Sequence, residues 1–180
     1  WLTPAIASAD YVPLKVMNTL LGTGMSSRLF MGLREKQGLA YVVGSLYPSR
    51  AGESHFVLYI GTDPKNREKV LDGFTQQVKA LQTTPIGDQE LAEAKDKLIG
   101  NFALEHETPA QQAFYLGLYE ILGMGYQYDT QYPDLVRKVT PADIQRVAAY
   151  LAGPSVLSLV VPKPEETPPN ARSEEHTSEL

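Results

Sequence analysis

Cysteine is absent from this sequence, and histidine occurs only at His55, His106 and His176. The first absence excludes disulfides and thiolate metal ligands, and leaves the compartment open. The scarcity of histidine leaves one imidazole per region, which argues against a three-ligand zinc site built within the chain. The inverted zinc motif H-x-x-E-H is missing too. Phe102 stands three residues before Glu105, and Arg172 three before Glu175, where its first histidine would have to be. No apolar run approaches the roughly 18 residues of a membrane helix. No charged-then-apolar leader follows Trp1, which reads as the tail of a strand whose beginning is missing. An excess of charge is also lacking. Of the net charge of -5, the five acidic and two basic residues of 163–180 supply -3. The nearly neutral remainder offers no electrostatic footprint for nucleic acid.

What is present is the composition of one globular domain: 180 residues, 43% hydrophobic and 21% charged. The chain is organised around Leu20–Tyr47, LLGTGMSSRLFMGLREKQGLAYVVGSLY. Gly22 and Gly24 stop a preceding helix, because glycine tolerates the positive φ of such caps. Ser26 or Ser27 can cap a short helix in which Leu29, Phe30 and Leu33 share one buried face. Arg34 and Lys36 fall in its last turn, where the helix dipole favours cations. Gly38 ends it, and Tyr41, Val42, Val43 and Leu46 read as a strand.

The flanking segments follow from periodicity. Asp10 and Pro13 open a first helix with Val12, Val16 and Leu20 as its stripe. Ser49–Glu53 is a hairpin loop. His55–Ile60 is a strand with Phe56, Leu58 and Ile60 on one face, paired antiparallel with its predecessor. Asp63-Pro64 opens a long helix carrying Val70, Leu71, Phe74, Val78 and Leu81. Asp88 caps another, with Leu91, Ala94, Leu98, Ile99 and Phe102 at helical spacing. Thr108-Pro109 begins a helix that Gly123 and Gly125 end, with Ala113, Leu116 and Ile121 apolar. Thr140-Pro141 begins the next, through Ile144, Val147 and Ala148. Val156–Val161 reads as a last strand, apolar on both faces and so central. Strands at the two ends with helices between predict an α+β fold, an antiparallel sheet with helices packed on one face. The expected domain is 1–161, cut short at its N-terminus. Residues 162–180 read as a disordered, proline-rich acidic tail, of which 172–180 reads as non-native.

Chemistry-bearing patterns are few. Ser26 and Ser27 lie in G-M-S-S, not in a G-x-S-x-G elbow, so a cap outweighs a nucleophile. Gly22-Thr23-Gly24 lacks the Lys-Ser/Thr of a phosphate loop and follows a helix. His55 reads as a residue on the polar face of its strand, and His106 as a partner of a helix C-terminus. Arg34 and Tyr41, seven residues apart, remain. On physical grounds alone, Arg34 neutralises a helix end and Tyr41 packs as a strand aromatic.

The pattern G-M-S-S-R-L-F-x-x-L-R-E-K-Q-G-L-A-Y resembles the C-terminal half of pitrilysin/insulinase-type zinc metallopeptidases, especially the mitochondrial-processing-peptidase-like branch. Glu90-Leu91-Ala92-Glu93-Ala94-Lys95 is similar to a helix start of that family, and the resemblance runs roughly from Asp10 to Val161. It implies the metallohydrolase-like half-domain fold and reverses the reading of the pair. Arg34 and Tyr41 then bind substrate, reaching towards a zinc site held by a separate H-x-x-E-H half. It further implies no catalytic or metal-binding residue in this chain alone. The zinc-bearing partner half would be in the same polypeptide or a second subunit, the substrate an unfolded peptide or presequence, and the cleavage endoproteolytic. The alternative it leaves is a non-catalytic scaffold subunit derived from the same family. A generic α+β binding module would require the long match to be chance.

Overall fold

The computed structural model describes residues 1–162, and the statements below concern those residues. In order, they form β1 (Leu2–Thr3), α1 (Tyr11–Gly22), a π-helical segment (Phe30–Glu35) and β2 (Val42–Leu46). Then come β3 (Ser54–His55), β4 (Val57–Gly61), a 3-10 turn (Pro64–Asn66) and α2 (Arg67–Thr83). The rest is α3 (Asp88–Leu104), α4 (Pro109–Ile121), α5 (Tyr128–Lys138), α6 (Pro141–Ala148) and a closing 3-10 turn, Ala149–Ala152. The fold is α+β, mostly helical with a small antiparallel sheet.

The strand expected over 55–60 is divided at Phe56. Its first part pairs with β1 (Leu2 opposite His55) and its second with β2 (Val43 opposite Ile60, Leu46 opposite Val57). Phe56 exchanges two backbone hydrogen bonds with Trp1, and its ring is fully buried against Tyr47. The core therefore begins under the sheet and continues into α1, where Val12, Leu14, Val16, Met17, Leu20 and Leu21 are all buried. An α1 so apolar all round must be covered on every side. It packs on β2, α3 and α6.

Local signals place most helix ends. Thr108 and Thr140 each form a capping box, with Gln111 and Asp143 as the reciprocating residues and proline in the first turn. Gly24, Gly38, Gly123 and Gly125 all take positive φ. Other expectations need correction. Gly22 lies inside α1 with ordinary φ. It is required instead because a Cβ there would collide with the backbone nitrogen of Ser45, where α1 crosses β2. Neither serine caps the next helix: Ser27 is buried and its hydroxyl donates to the Gly24 carbonyl. Asp10 stands at the α1 N-cap but makes no side-chain cap. Its carboxylate accepts from Arg146 and Tyr150, tying α1 to the chain's last helical turns. Asp88 is the first residue of α3, and Gly87 occupies the cap position.

One helix goes unread in the pattern. In α5, Tyr128, Tyr132 and Val136 recur at four-residue spacing and are buried, but Pro133 interrupts the sequence signal. The last strand does not form. Residues 155–162 have no regular structure, and Val156 and Val160 are 94% and 98% exposed. An apolar run becomes a central strand only if a sheet edge offers backbone partners on both sides, and no described strand pairs with it. The expected disordered tail and the segment 172–180 lie, apart from Pro162, outside the described residues.

Candidate functional site

Arg34 lies in the π-helical turn and Tyr41 at the start of the β2–β4 pair, joined by the turn at Gly38. The wider turns of the π-helical segment are marked by Lys36 N–H donating to the Met31 carbonyl, five residues back. Leu29 and Leu33 fill the core completely, while Arg34 is turned to solvent. The Arg34 guanidinium stacks over the Phe30 ring at 4.9 Å. The Arg34 carbonyl accepts from Gly38 N–H, and the Leu33 carbonyl from Leu39 N–H, closing the turn at the positive-φ Gly38. Tyr41 precedes β2 by one residue. Its backbone N–H donates to the Gly61 carbonyl at 2.8 Å, and its side chain is 76% exposed. Among the described residues, Arg34 has no carboxylate within 4.0 Å and the Tyr41 hydroxyl has no hydrogen-bond partner. The two side chains are both exposed and do not bond to each other.

The adjoining sheet face is open. Val42, Leu46 and Tyr59 are exposed there, while Val43 and Ser45 point into the core. Gly44 lies opposite Tyr59, whose ring covers the space a Cβ at 44 would need. Val42 covers Gly61 in the same way. The result is an apolar shelf of Val42, Leu46 and Tyr59 laid over Gly44 and Gly61, beginning next to Tyr41.

Behind this site the loop is anchored by pairs that sequence reasoning missed. Arg28 forms two hydrogen bonds to the Glu90 carboxylate, at 2.6 and 2.7 Å. Lys97 donates to the Thr23 carbonyl at the end of α1. Both join the G-M-S-S-R motif to the E-L-A-E-A-K helix. These are the two stretches that carry the resemblance, and no local pattern reveals that they touch.

Elsewhere, the rings fall into two clusters: Tyr47 meets Tyr11 and Phe56, and a second, larger group surrounds His106. His106 is sandwiched between Phe102 and Tyr115 at 3.9 and 4.4 Å. One of its ring nitrogens meets the Phe102 carbonyl at the end of α3, and the other the Asp129 carboxylate. The imidazole serves packing and helix termination. Lys15 lies over the rings of Tyr11 and Tyr47 and donates to the Tyr47 carbonyl. Burial pushes its amine down to about 8, with Glu105 opposing. Burial pushes the Tyr11 hydroxyl up to about 12, against its bond with Ser49. It also pushes Tyr115 up to about 12, with help from the Glu105 bond. Tyr47, Tyr119, Tyr128 and Tyr132 are raised further for the same reason.

Among the described residues, no group of three His, Cys, Asp or Glu side chains could hold a metal ion. His55 stands alone on β3, and both nitrogens of His106 are engaged, so these residues do not fit a zinc ion. No described helix is long and apolar enough to cross a membrane. A groove of about 1050 Å³ lies between Phe56 and Leu58 of the sheet and Phe74 and Val78 of α2, with Trp1 among its lining. Neither Arg34 nor Tyr41 lines it.

Residues 1–98 match the family described as the peptidase M16 inactive domain. An uncharacterized zinc protease of Streptomyces coelicolor is 33% identical over 138 residues, covering 77% of this chain and 30% of its own. A probable inactive metalloprotease of Bacillus subtilis is 33% identical over 96 residues, covering 53% and 22%. The chain thus spans less than a third of the length of these relatives. Among solved structures, the inactive peptidase domain of a Bordetella parapertussis protease superposes with a TM-score of 0.71. It shares 22% identity and covers 83% of this chain and 80% of that one. At that identity the likeness concerns the fold.

Proposed function

The chain belongs to the peptidase M16 inactive-domain family, and from that premise we propose that it is the substrate-binding half of a zinc-dependent metalloendopeptidase. The described residues do not fit the metal, so the zinc is assigned to a partner half bearing H-x-x-E-H. That half lies in the same longer polypeptide or in a second subunit, and the two enclose a chamber for unfolded peptides. The observation that carries this reading is the pair Arg34 and Tyr41. Both are exposed beside an open apolar sheet face, and among the described residues neither has a carboxylate or hydroxyl partner.

The roles follow from the donors. The Arg34 guanidinium presents a planar fork of N–H groups to the carbonyls of an extended peptide, which a lysine would not reproduce. The Tyr41 hydroxyl donates to the carbonyl oxygen as negative charge develops there. The edge of β2 and the shelf beside it suit an extended strand. In the assembled enzyme, Arg34→Ala and Tyr41→Phe are expected to lower kcat/KM about 10- to 1000-fold, with zinc content and circular dichroism unchanged. Unaltered turnover with both intact would remove the pair from the reaction.

A second reading is supported by the relative described as a probable inactive metalloprotease. Under it, the chain is part of a scaffold that has lost catalysis. It predicts normal assembly and no peptide turnover, whichever side chain stands at 34 or 41.

A further inference from the structure

The formal charge of the chain is unevenly distributed along it. Residues 28–69, which contain the π-helical turn, β2 and β4, hold seven basic and four acidic residues, a net of +3. Residues 70–162 hold six basic and eleven acidic, a net of -5. The cations are also used differently. In the second stretch Arg137 pairs with Asp134 and Arg146 with Asp10 and Asp143, Lys95 and Lys97 donate to carbonyls, and only Lys79 and Lys138 are exposed with no carboxylate within 4.0 Å among the described residues. In the first, Arg34, Lys36 and Arg67 are exposed and, among the described residues, have no carboxylate within 4.0 Å.

Packing gathers these free cations. The π-helical segment runs along α2, with Gly32 facing Gln77 and Leu33 pressed on Gly73. The segment thus runs antiparallel to α2, its last turn, with Arg34 and Lys36, directed towards the N-terminal half of the helix that begins at Arg67. The bond from Tyr41 N–H to the Gly61 carbonyl joins the start of β2 to the end of β4, just before the 3-10 turn where Lys65 pairs with Asp63 at 3.0 Å. Arg34, Lys36, Lys65 and Arg67 thus outnumber the interspersed Glu35, Asp63 and Glu68 in the segments that lead into and out of the β2–β4 pair, on a chain of net negative charge.

We infer that the Arg34–Tyr41 end selects an extended peptide with an apolar residue flanked by acidic ones, not a basic one. The apolar side chain rests on the shelf of Val42, Leu46 and Tyr59, and the flanking carboxylates meet Arg34, Lys36 and Arg67. Charges around a binding face set partner choice and encounter rate, and rim charges act most at low salt. The acidic helical block adds repulsion against polybasic segments. This inference rests on the reading of Arg34 and Tyr41 as substrate-binding residues.

The test uses the full chain and two fluorescein-labelled peptides that share an aromatic centre and carry either glutamates or lysines beside it. Fluorescence anisotropy is expected to give about tenfold tighter binding of the acidic peptide at low ionic strength, with the preference shrinking as the Debye length falls to about 8 Å. Replacing Arg34, Lys36 and Arg67 together by alanine should abolish the preference, as should replacing the peptide's glutamates by glutamines. Lys138→Ala, in the helical block, should leave it intact. An Arg34→Lys variant retains charge and should retain the preference, which separates electrostatics from loss of the fold. Equal or tighter binding of the lysine peptide would overturn this inference while leaving the substrate-binding reading standing. Binding of neither peptide would overturn both. Tighter binding of a mixed-sequence oligonucleotide would replace the acidic peptide with a different partner.

Discussion

Arg137, Arg146, Lys95 and Lys97 in the helical block each end on an oxygen of their own chain, whereas Arg34, Lys36 and Arg67 end in solvent. Tyrosines divide in a similar way, with Tyr126 exposed in the block and Tyr47 buried behind the sheet as exceptions. Tyr119, Tyr128 and Tyr132 are buried in the block, while Tyr41 and Tyr59 are exposed beside the sheet. The same chemistry is spent on cohesion in one region and left available in the other. Anchors and binding groups can even share a motif: Arg28 is locked to Glu90, and six residues later Arg34 is free.

The largest break in that comparison should come with alkali. A tyrosine whose folded pKa lies above its unfolded value of about 10 contributes stability that is complete below pH ~10 and is lost as pH rises through the folded value. Tyr11 and Tyr115, pushed up to about 12, and the four tyrosines raised beyond them all act in this direction. Lys15 has the opposite sign. Its folded value of about 8 lies below the usual one, so its burial cost is present below pH 8 and fades towards the unfolded value of 10.5. Urea midpoints followed across pH should rise gently between these two values and then fall steeply above pH ~10. A flat profile to pH ~12 would mean that the tyrosine clusters are not closed to water.

Next in size is Gly22→Ala. The added methyl meets the backbone of Ser45, which cannot rotate away, so about 1–3 kcal/mol should be lost from chemical unfolding. Smaller again is the contrast between two arginines. Arg28→Ala removes a bidentate, half-exposed pair and should cost about 1 kcal/mol. Arg34→Ala should change stability by less than about 0.5 kcal/mol, since it gives up only a surface contact with Phe30. If the two cost the same, the division between anchoring and available cations fails.

How much of this was legible in the sequence depends on the range of the interaction. Thr108-Pro109, Thr140-Pro141 and the glycines at 24, 38, 123 and 125 act within a few residues, and their turns and caps are where the pattern puts them. Arg34 and Tyr41 were singled out by motif, and both prove exposed. What pattern reading missed is tertiary. The Arg28–Glu90 pair spans 62 residues, and Gly22 matters through its contact with Ser45. Pro133 hid α5 because a proline inside a helix costs a backbone hydrogen bond that packing of Tyr128, Tyr132 and Val136 here offsets. The run Val156–Val161 has strand-like side chains but lacks the paired edge that strand formation needs.

Trp1, bonded to Phe56 and among the lining of the groove against α2, is the only tryptophan in the sequence. The chain therefore carries a single built-in optical reporter, and it looks into the groove rather than onto the Arg34–Tyr41 end. A peptide held at Tyr41 leaves the indole's surroundings as they were. A segment entering the groove displaces water from them and shifts the emission to shorter wavelength. One emission spectrum thus tells the two faces of the molecule apart without a label.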